Sequence, residues 1–157
     1  MYTVTKYPED FYAYIGMGQV INSDEGEMIS YRYALRKAME ADDNVSVNQL
    51  KRIGLPPYEG YQSTSIQRNI LGKYNGVFTG KLNYPEIMRI IFQSPDYNQE
   101  EKQNFMTAFI QVNNQMWGQV TFVDLTVIKR IKVPVYFFLG KHDYSVPFEI
   151  AERYLKN

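Results

Sequence analysis

The residues best equipped for chemistry lie together near the C-terminus: His142, Asp143 and Ser145. A hydroxyl, an imidazole and a carboxylate are the parts of a nucleophilic triad. A triad needs its base hydrogen-bonded to both other members. Neighbouring side chains in an extended loop point apart, so Asp143 is poorly placed to orient His142. Ser145 lacks the glycine context of a nucleophile elbow, and no Gly-x-Ser-x-Gly occurs in the 157 residues. His142 is the single histidine, and there is no cysteine. Disulfides, thiolate metal sites and cysteine nucleophiles are thereby excluded, and one copy of the chain cannot build a site from several imidazoles. No metal and no cofactor is expected.

Two glycine-containing stretches imitate nucleotide motifs. Gly16-Met17-Gly18 opens like a dinucleotide fingerprint, but Ile21 stands where the third glycine belongs. Asp24, Glu25 and Glu27 follow, and their charge would repel a pyrophosphate. A strand-end turn needing backbone freedom is the plainer reading. Gly76 to Leu82 resembles a phosphate loop one residue short, without Ser or Thr after Lys81, and reads as a loop. Of the acidic pairs, Glu100-Glu101 suits a helix first turn, and Asp42-Asp43 reads as solvated linker.

The elements that must position these groups can be read from pattern. Phe11 to Met17 and Val133 to Leu139 are almost continuously apolar and each runs into glycine. Such runs suit parallel strands covered on both faces. Between them the spacing predicts helices. Asn22 precedes Glu25, Ser46 precedes Gln49, Asn83 precedes Glu86 and Asn98 precedes Glu101, each as a capping-box pattern. Met28, Tyr31, Leu35 and Met39 form one apolar stripe, and Phe105, Phe109, Val112 and Met116 another. Tyr61 to Tyr74 and Pro147 to Leu155 are further helices, and Leu55 to Gly60 is a turn. A crossover between parallel strands needs only a dozen or so residues. The far longer helical stretch here reads as a domain inserted into a sheet. The predicted class is α/β: two parallel core strands flanking a mostly helical insertion. Residues 1–21 form a core strand segment, 22–130 the insertion, and 131–157 a core strand, turn and helix. Something must also cover the two strands, whose edges would otherwise be open.

Composition narrows the partners. Apolar residues make up 45%, enough for a core. Seventeen basic and 17 acidic side chains give zero net charge, and no Lys/Arg run appears. No nucleic-acid or membrane partner is therefore expected. No apolar run approaches a membrane span, and Met1 to Lys6 lacks a signal-peptide core. The expectation is a soluble, cytoplasmic chain.

Gly140 to Pro147 follows the second strand: Gly-Lys-His-Asp-Tyr-Ser-Val-Pro. In open α/β sheets functional groups gather past the carboxyl ends of strands. Pattern alone leaves two roles for Asp143, orienting a histidine or stabilising its own turn.

Val135 to Pro147 resembles the acid-bearing strand and turn of α/β hydrolases, most nearly the bacterial branch resembling prolyl aminopeptidases. Tyr7 to Gln19 resembles the strand that follows the nucleophile helix in that branch, and Asn22 to about Lys129 resembles its helical lid. This resemblance implies a partial α/β hydrolase fold. It makes Asp143 the triad acid, with His142 a neighbour of the acid and not the base. It sets the family's nucleophilic serine and oxyanion loop before residue 1, and its catalytic histidine beyond residue 157. The implied parent hydrolyses an ester, amide or peptide bond of a small-molecule or peptide substrate through an acyl-enzyme. The chain by itself is expected to be inactive. A lid implies a substrate pocket, for which Gln19, Tyr58 and Trp117 are the candidates among 14 Tyr, 9 Phe and one Trp. The rival reading is a non-catalytic helical module of hydrolase ancestry that covers its strands by self-association.

Overall fold

The computed structural model describes residues 1–78 and 83–156. Thr79 to Leu82, the second half of the phosphate-loop look-alike, lie outside the described residues. Helix α1 (Tyr2–Lys6) and a 3-10 turn (Pro8–Asp10) precede strand β1 (Tyr14–Met17). Helices α2 (Ser23–Glu40), α3 (Asn44–Ile53), α4 (Tyr61–Lys73), α5 (Tyr84–Gln93) and α6 (Gln99–Val120) follow, then β2 (Val135–Phe138) and α7 (Phe148–Lys156). The described residues are thus mostly helical, with two parallel strands among them.

β1 and β2 pair in parallel, Tyr14 opposite Val135 and Met17 opposite Phe138. Both strands are shorter than their apolar runs. The Tyr14 N–H bonds the Pro134 carbonyl, and Pro134 has no N–H to extend the ladder backwards. Upstream, the turn at Pro8–Asp10 diverts the chain. Cover on both faces is not met by this chain's own described residues. Ile15, Met17, Tyr136 and Phe138 are exposed on one face. On the other, Phe137 contacts Tyr14 edge-on and lies near Tyr154 of α7. At the strand end Gly18 has φ +59°, the left-handed conformation its position was expected to need.

α1 has no counterpart in the sequence reading. Its five residues are too few to hold a helix by propensity. Burial of Val4 and packing of Met1 against the core near α7 supply the reason.

The capping patterns divide. Asn22, Asn83 and Asn98 each accept from the backbone N–H three residues on, and Asn98 with Glu101 forms the full reciprocal box. For α3 the cap is Asp43 and not Ser46: the Asp43 carboxylate accepts the Ser46 N–H at 3.2 Å. A carboxylate serves the helix dipole as well as the orphan donor. Asp43 is therefore not solvated linker. Its other oxygen accepts from Lys73 Nζ and the Tyr74 hydroxyl, both at 2.7 Å, tying α3 to the end of α4.

Two cores result. Tyr31, Ala34, Leu50, Tyr58, Ile70 and Leu71 join α2, α3, α4 and the turn before α4. On α2 the buried face is Gly26, Ser30, Tyr31, Ala34 and Ala38; of the expected stripe Tyr31 is buried, Leu35 packs against the core partly buried, Met28 is half-buried, and Met39 is exposed. Small side chains at Gly26, Ser30, Ala34 and Ala38 fill the buried face beside Tyr31. The second core is Ile21, Leu125, Ile128, Ile150 and Ala151, under the sheet and α7. The α6 stripe of Phe105, Phe109, Val112 and Met116 remains exposed.

The Asp43 contacts give a pH signature. Hydrogen bonds from Lys73, Ser46 and Tyr74 hold its carboxyl well below the usual carboxylate range. In the unfolded chain it titrates near about 4. The folded value is the lower, so the stability from Asp43 is fully present above about pH 5 and is lost as pH falls below that. Asp43→Asn keeps a capping side chain but no charge. Melting curves should show the gap between wild type and Asp43→Asn widest above about pH 5 and closing on acidification below about pH 4. A pH-independent gap would refute this account.

Candidate functional site

The helical segment leaves and rejoins the sheet through one neck. Asn22 bridges to Asp124 in antiparallel fashion. The Leu125 N–H bonds the Ile21 carbonyl at 2.7 Å, and the Ser23 N–H bonds the Val123 carbonyl at 2.8 Å. Directly above lies a cavity of about 250 Å³. The neck and the first turn of α2 form one wall, α4 contributes Thr64 and Arg68, and the ends of α6 and of the 143–147 turn complete it.

Gln19, Tyr58 and Trp117, far apart in sequence, all line this cavity. Each is fixed by its own bonds. Gln19 accepts from the Tyr14 hydroxyl and donates to the Val20 carbonyl at 2.8 Å. The Trp117 indole N–H donates to the Tyr58 carbonyl at 3.0 Å, and its ring meets Tyr61 at 5.8 Å. The Tyr58 hydroxyl donates to the Gln67 amide oxygen. Burial first, and the Glu27 charge second, push the Tyr58 phenol far above its usual range. At neutral pH it is a fixed donor and not a base.

Asp143 is not in the cavity lining, but Ser145 and Val146 are. One Asp143 oxygen accepts both of their backbone N–H groups, at 2.8 and 3.2 Å. These bonds express the turn-stabilising role and shape the cavity wall. The turn is also anchored to the helices. The Tyr144 ring stacks on Tyr33 at 3.7 Å, its N–H bonds the Gly76 carbonyl at 2.7 Å, and Ser30 donates to its carbonyl. A Cβ on Gly76 would fall within 2.6 Å of Leu71, so only glycine allows this approach. His142 is exposed beside the turn, and none of its hydrogen bonds joins it to Asp143 or Ser145 among the described residues. The three groups are not a triad.

Sequence reading missed the polar wall. Glu27, taken as one of several helix-start charges, pairs instead with the Arg68 fork across α2 and α4, and accepts the Gln67 amide N–H at 3.0 Å. Thr64, Gln67 and Leu71 share one buried side of α4. Polar residues in the phase of a buried stripe were the available signal. Among the described residues there is no group of three His, Asp or Glu side chains able to hold a metal ion. No helix among them is long and apolar enough to cross a membrane.

Comparison with known proteins adds one finding. The chain is similar to the probable aminopeptidase YbaC of Bacillus subtilis (strain 168), 27% identical over 159 residues. The match covers 98% of this chain and 49% of that relative, so the chain spans about half the relative's length. It supports a distant, peptidase-like relationship. No family model matches the chain. No solved structure matches it.

The Glu27–Arg68 pair is mostly shielded from solvent. Removing one partner strands the other charge. Arg68→Met should lower unfolding free energy by about 1–3 kcal/mol, below the range for fully buried pairs because both groups keep some solvent contact. Adding Glu27→Gln should restore part of that loss, a coupling read from urea unfolding of the four proteins in the cycle. Additive losses would mean that the two side chains act independently.

Proposed function

We propose that this chain is the lid and acid-strand portion of an α/β hydrolase of aminopeptidase-like ancestry. The parent reaction is ester, amide or peptide hydrolysis through a serine nucleophile. The observation that carries the reading is the parallel pairing of β1 with β2 across a long helical insertion, with Asp143 in the turn just past β2. That is where an open α/β sheet sets its functional groups. The likeness to a probable aminopeptidase over 98% of the chain supports it.

In this reading Asp143 holds the imidazole of the parent's catalytic histidine in the right tautomer and stabilises its cation. The oxygen that accepts from Ser145 and Val146 fixes the carboxylate, and the second oxygen faces the histidine. The helices then form a lid, and the cavity lined by Gln19, Tyr58 and Trp117 is its substrate pocket. The 157 residues contain no nucleophile elbow, so the chain alone is inactive. Small-molecule or peptide substrates are bound by the whole parent, in the cytoplasm.

A second reading, a self-associating module without catalysis, is favoured by the exposed Ile15, Met17, Tyr136 and Phe138 on the open sheet face. Burying such a face against a second copy would remove apolar surface from water. Sedimentation separates the two: a stable dimer supports this second reading, and a folded monomer counts against it.

The first reading is tested by a chimera in which this chain replaces the aligned half of the Bacillus subtilis relative. The chimera should hydrolyse amino-acid p-nitroanilides or p-nitrophenyl esters, and Asp143→Asn should reduce kcat by about three to four orders of magnitude. The isolated chain should give no turnover above its Asp143→Ala variant. Turnover by the isolated chain that Asp143→Ala abolishes would sink the proposal, as would a chimera indifferent to Asp143.

A further inference from the structure

One residue of the cavity lining, Thr64, carries a buried hydroxyl that the fold does not use. Thr64 is only 8% exposed, and its hydroxyl oxygen is buried with no hydrogen-bond partner among the described residues. Buried hydroxyls are nearly always paired, and an unpaired one destabilises the fold that contains it. A threonine in a helix usually bonds the carbonyl four residues back. The Thr64 hydroxyl does not, although it stands one helical turn before Arg68 and lines the same cavity.

The surrounding groups define what could pair with it. Glu27 lines the cavity, and the Arg68 fork and Gln67 already satisfy it. Both terminal nitrogens of Arg68 are engaged by that carboxylate. The Tyr58 hydroxyl and the Trp117 N–H are likewise engaged. The inner wall therefore offers no uncompensated charge, and an ion placed there would lose its hydration without a counter-charge. Asp24, the other carboxylate at the cavity, is exposed to solvent. Ile21, Trp117, Phe122 and Ile150 supply apolar surface, and Gln19, Asn22, Ser23, Thr121 and Ser145 add uncharged polar groups.

We propose that this cavity is a subsite for an apolar group bearing an uncharged amide, and that the Thr64 hydroxyl is the group that hydrogen-bonds the amide. A hydroxyl can donate to the carbonyl or accept from the N–H. The apolar part of the ligand lies against Trp117, Phe122 and Ile150. The inference deepens the pocket reading above and rests on it: Thr64 selects the bond-bearing part of the substrate by its neutral amide.

Trp117 is the single tryptophan and lines the cavity, so its fluorescence reports occupancy of this site. The full chain is titrated with N-acetyl-leucinamide, which is apolar, amide-bearing and uncharged, and in parallel with zwitterionic leucine. Saturable change with the amide and none with leucine is expected. Thr64→Val, nearly the same shape without the hydroxyl, should bind the amide about tenfold more weakly. Its melting temperature should be unchanged or higher, because an unpaired hydroxyl is gone. Thr64→Ser should bind within about threefold of wild type, since it keeps the hydroxyl. Equal binding by Thr64→Val, tighter binding of leucine, or no binding of the amide to wild type each overturns the proposal. So does a marked fall in the melting temperature of Thr64→Val, which would give the hydroxyl to the fold. Binding is read without turnover, so an inactive chimera alongside Thr64-dependent binding would reject the hydrolase reading alone.

Discussion

Parallel strands cannot be joined by a tight turn, and that constraint governs this molecule. The chain must leave one end of β1 and return to the opposite end before β2 can pair with it. Here the return path holds five helices among the described residues. Such a path could wander, because closing a long loop costs only slightly more entropy than closing a shorter one. The neck at residues 21–23 and 123–125 prevents this. Its backbone bonds bring the departing and returning segments together, so the helical stretch begins and ends at one place. The turn after β2 supplies a second fastening, through Tyr144 against Tyr33 and Gly76. The cavity lies between the two fastenings, and that is why residues from both ends of the chain line it.

The sequence was legible where a local rule has a local cause. Asn22, Asn83 and Asn98 cap helices because a short side chain three residues before a free N–H can hardly do otherwise. The two apolar runs became strands for similar reasons, although Pro134 and the turn at Pro8–Asp10 shortened them. Legibility failed where distant partners decide. Asp43 looked like linker because Lys73 and Tyr74, its partners, are on another helix. On α2 the spacing rule found Tyr31 and Leu35 but passed over Ser30, Ala34 and Ala38, small residues buried where α2 meets α3 and α4, and chose Met39, which is exposed. Gln19, Tyr58 and Trp117 were named from a resemblance and their residue types. Glu27, Arg68 and Thr64 had no such label, and only their phase on the helices marked them.

The same distinction explains the apolar surface. A strand read from sequence carries no record of which chain covers it. β1 and β2 each alternate, so Phe137, which lies against α7, and its neighbours on that face are interleaved with Ile15, Met17, Tyr136 and Phe138, which stay largely exposed. Half of each apolar run is accounted for by this chain's own packing. The other half, left in water, favours any partner that removes it, whether further strands or a second copy.

Asp143 shows how a side chain that builds its own turn can also meet what the proposed orienting role demands. Bonding the Ser145 and Val146 N–H groups makes the carboxylate rigid, and rigidity is what an orienting acid requires. Those bonds use one oxygen, which leaves lone pairs on the second. The turn they fix also carries Tyr144 into the helices and sets Ser145 and Val146 in the cavity wall. Moving the helices would therefore pull on the turn, and distortion of the turn would misdirect the carboxylate. Tyr144 is therefore the side chain through which the packing of the helices and the geometry of the turn depend on each other.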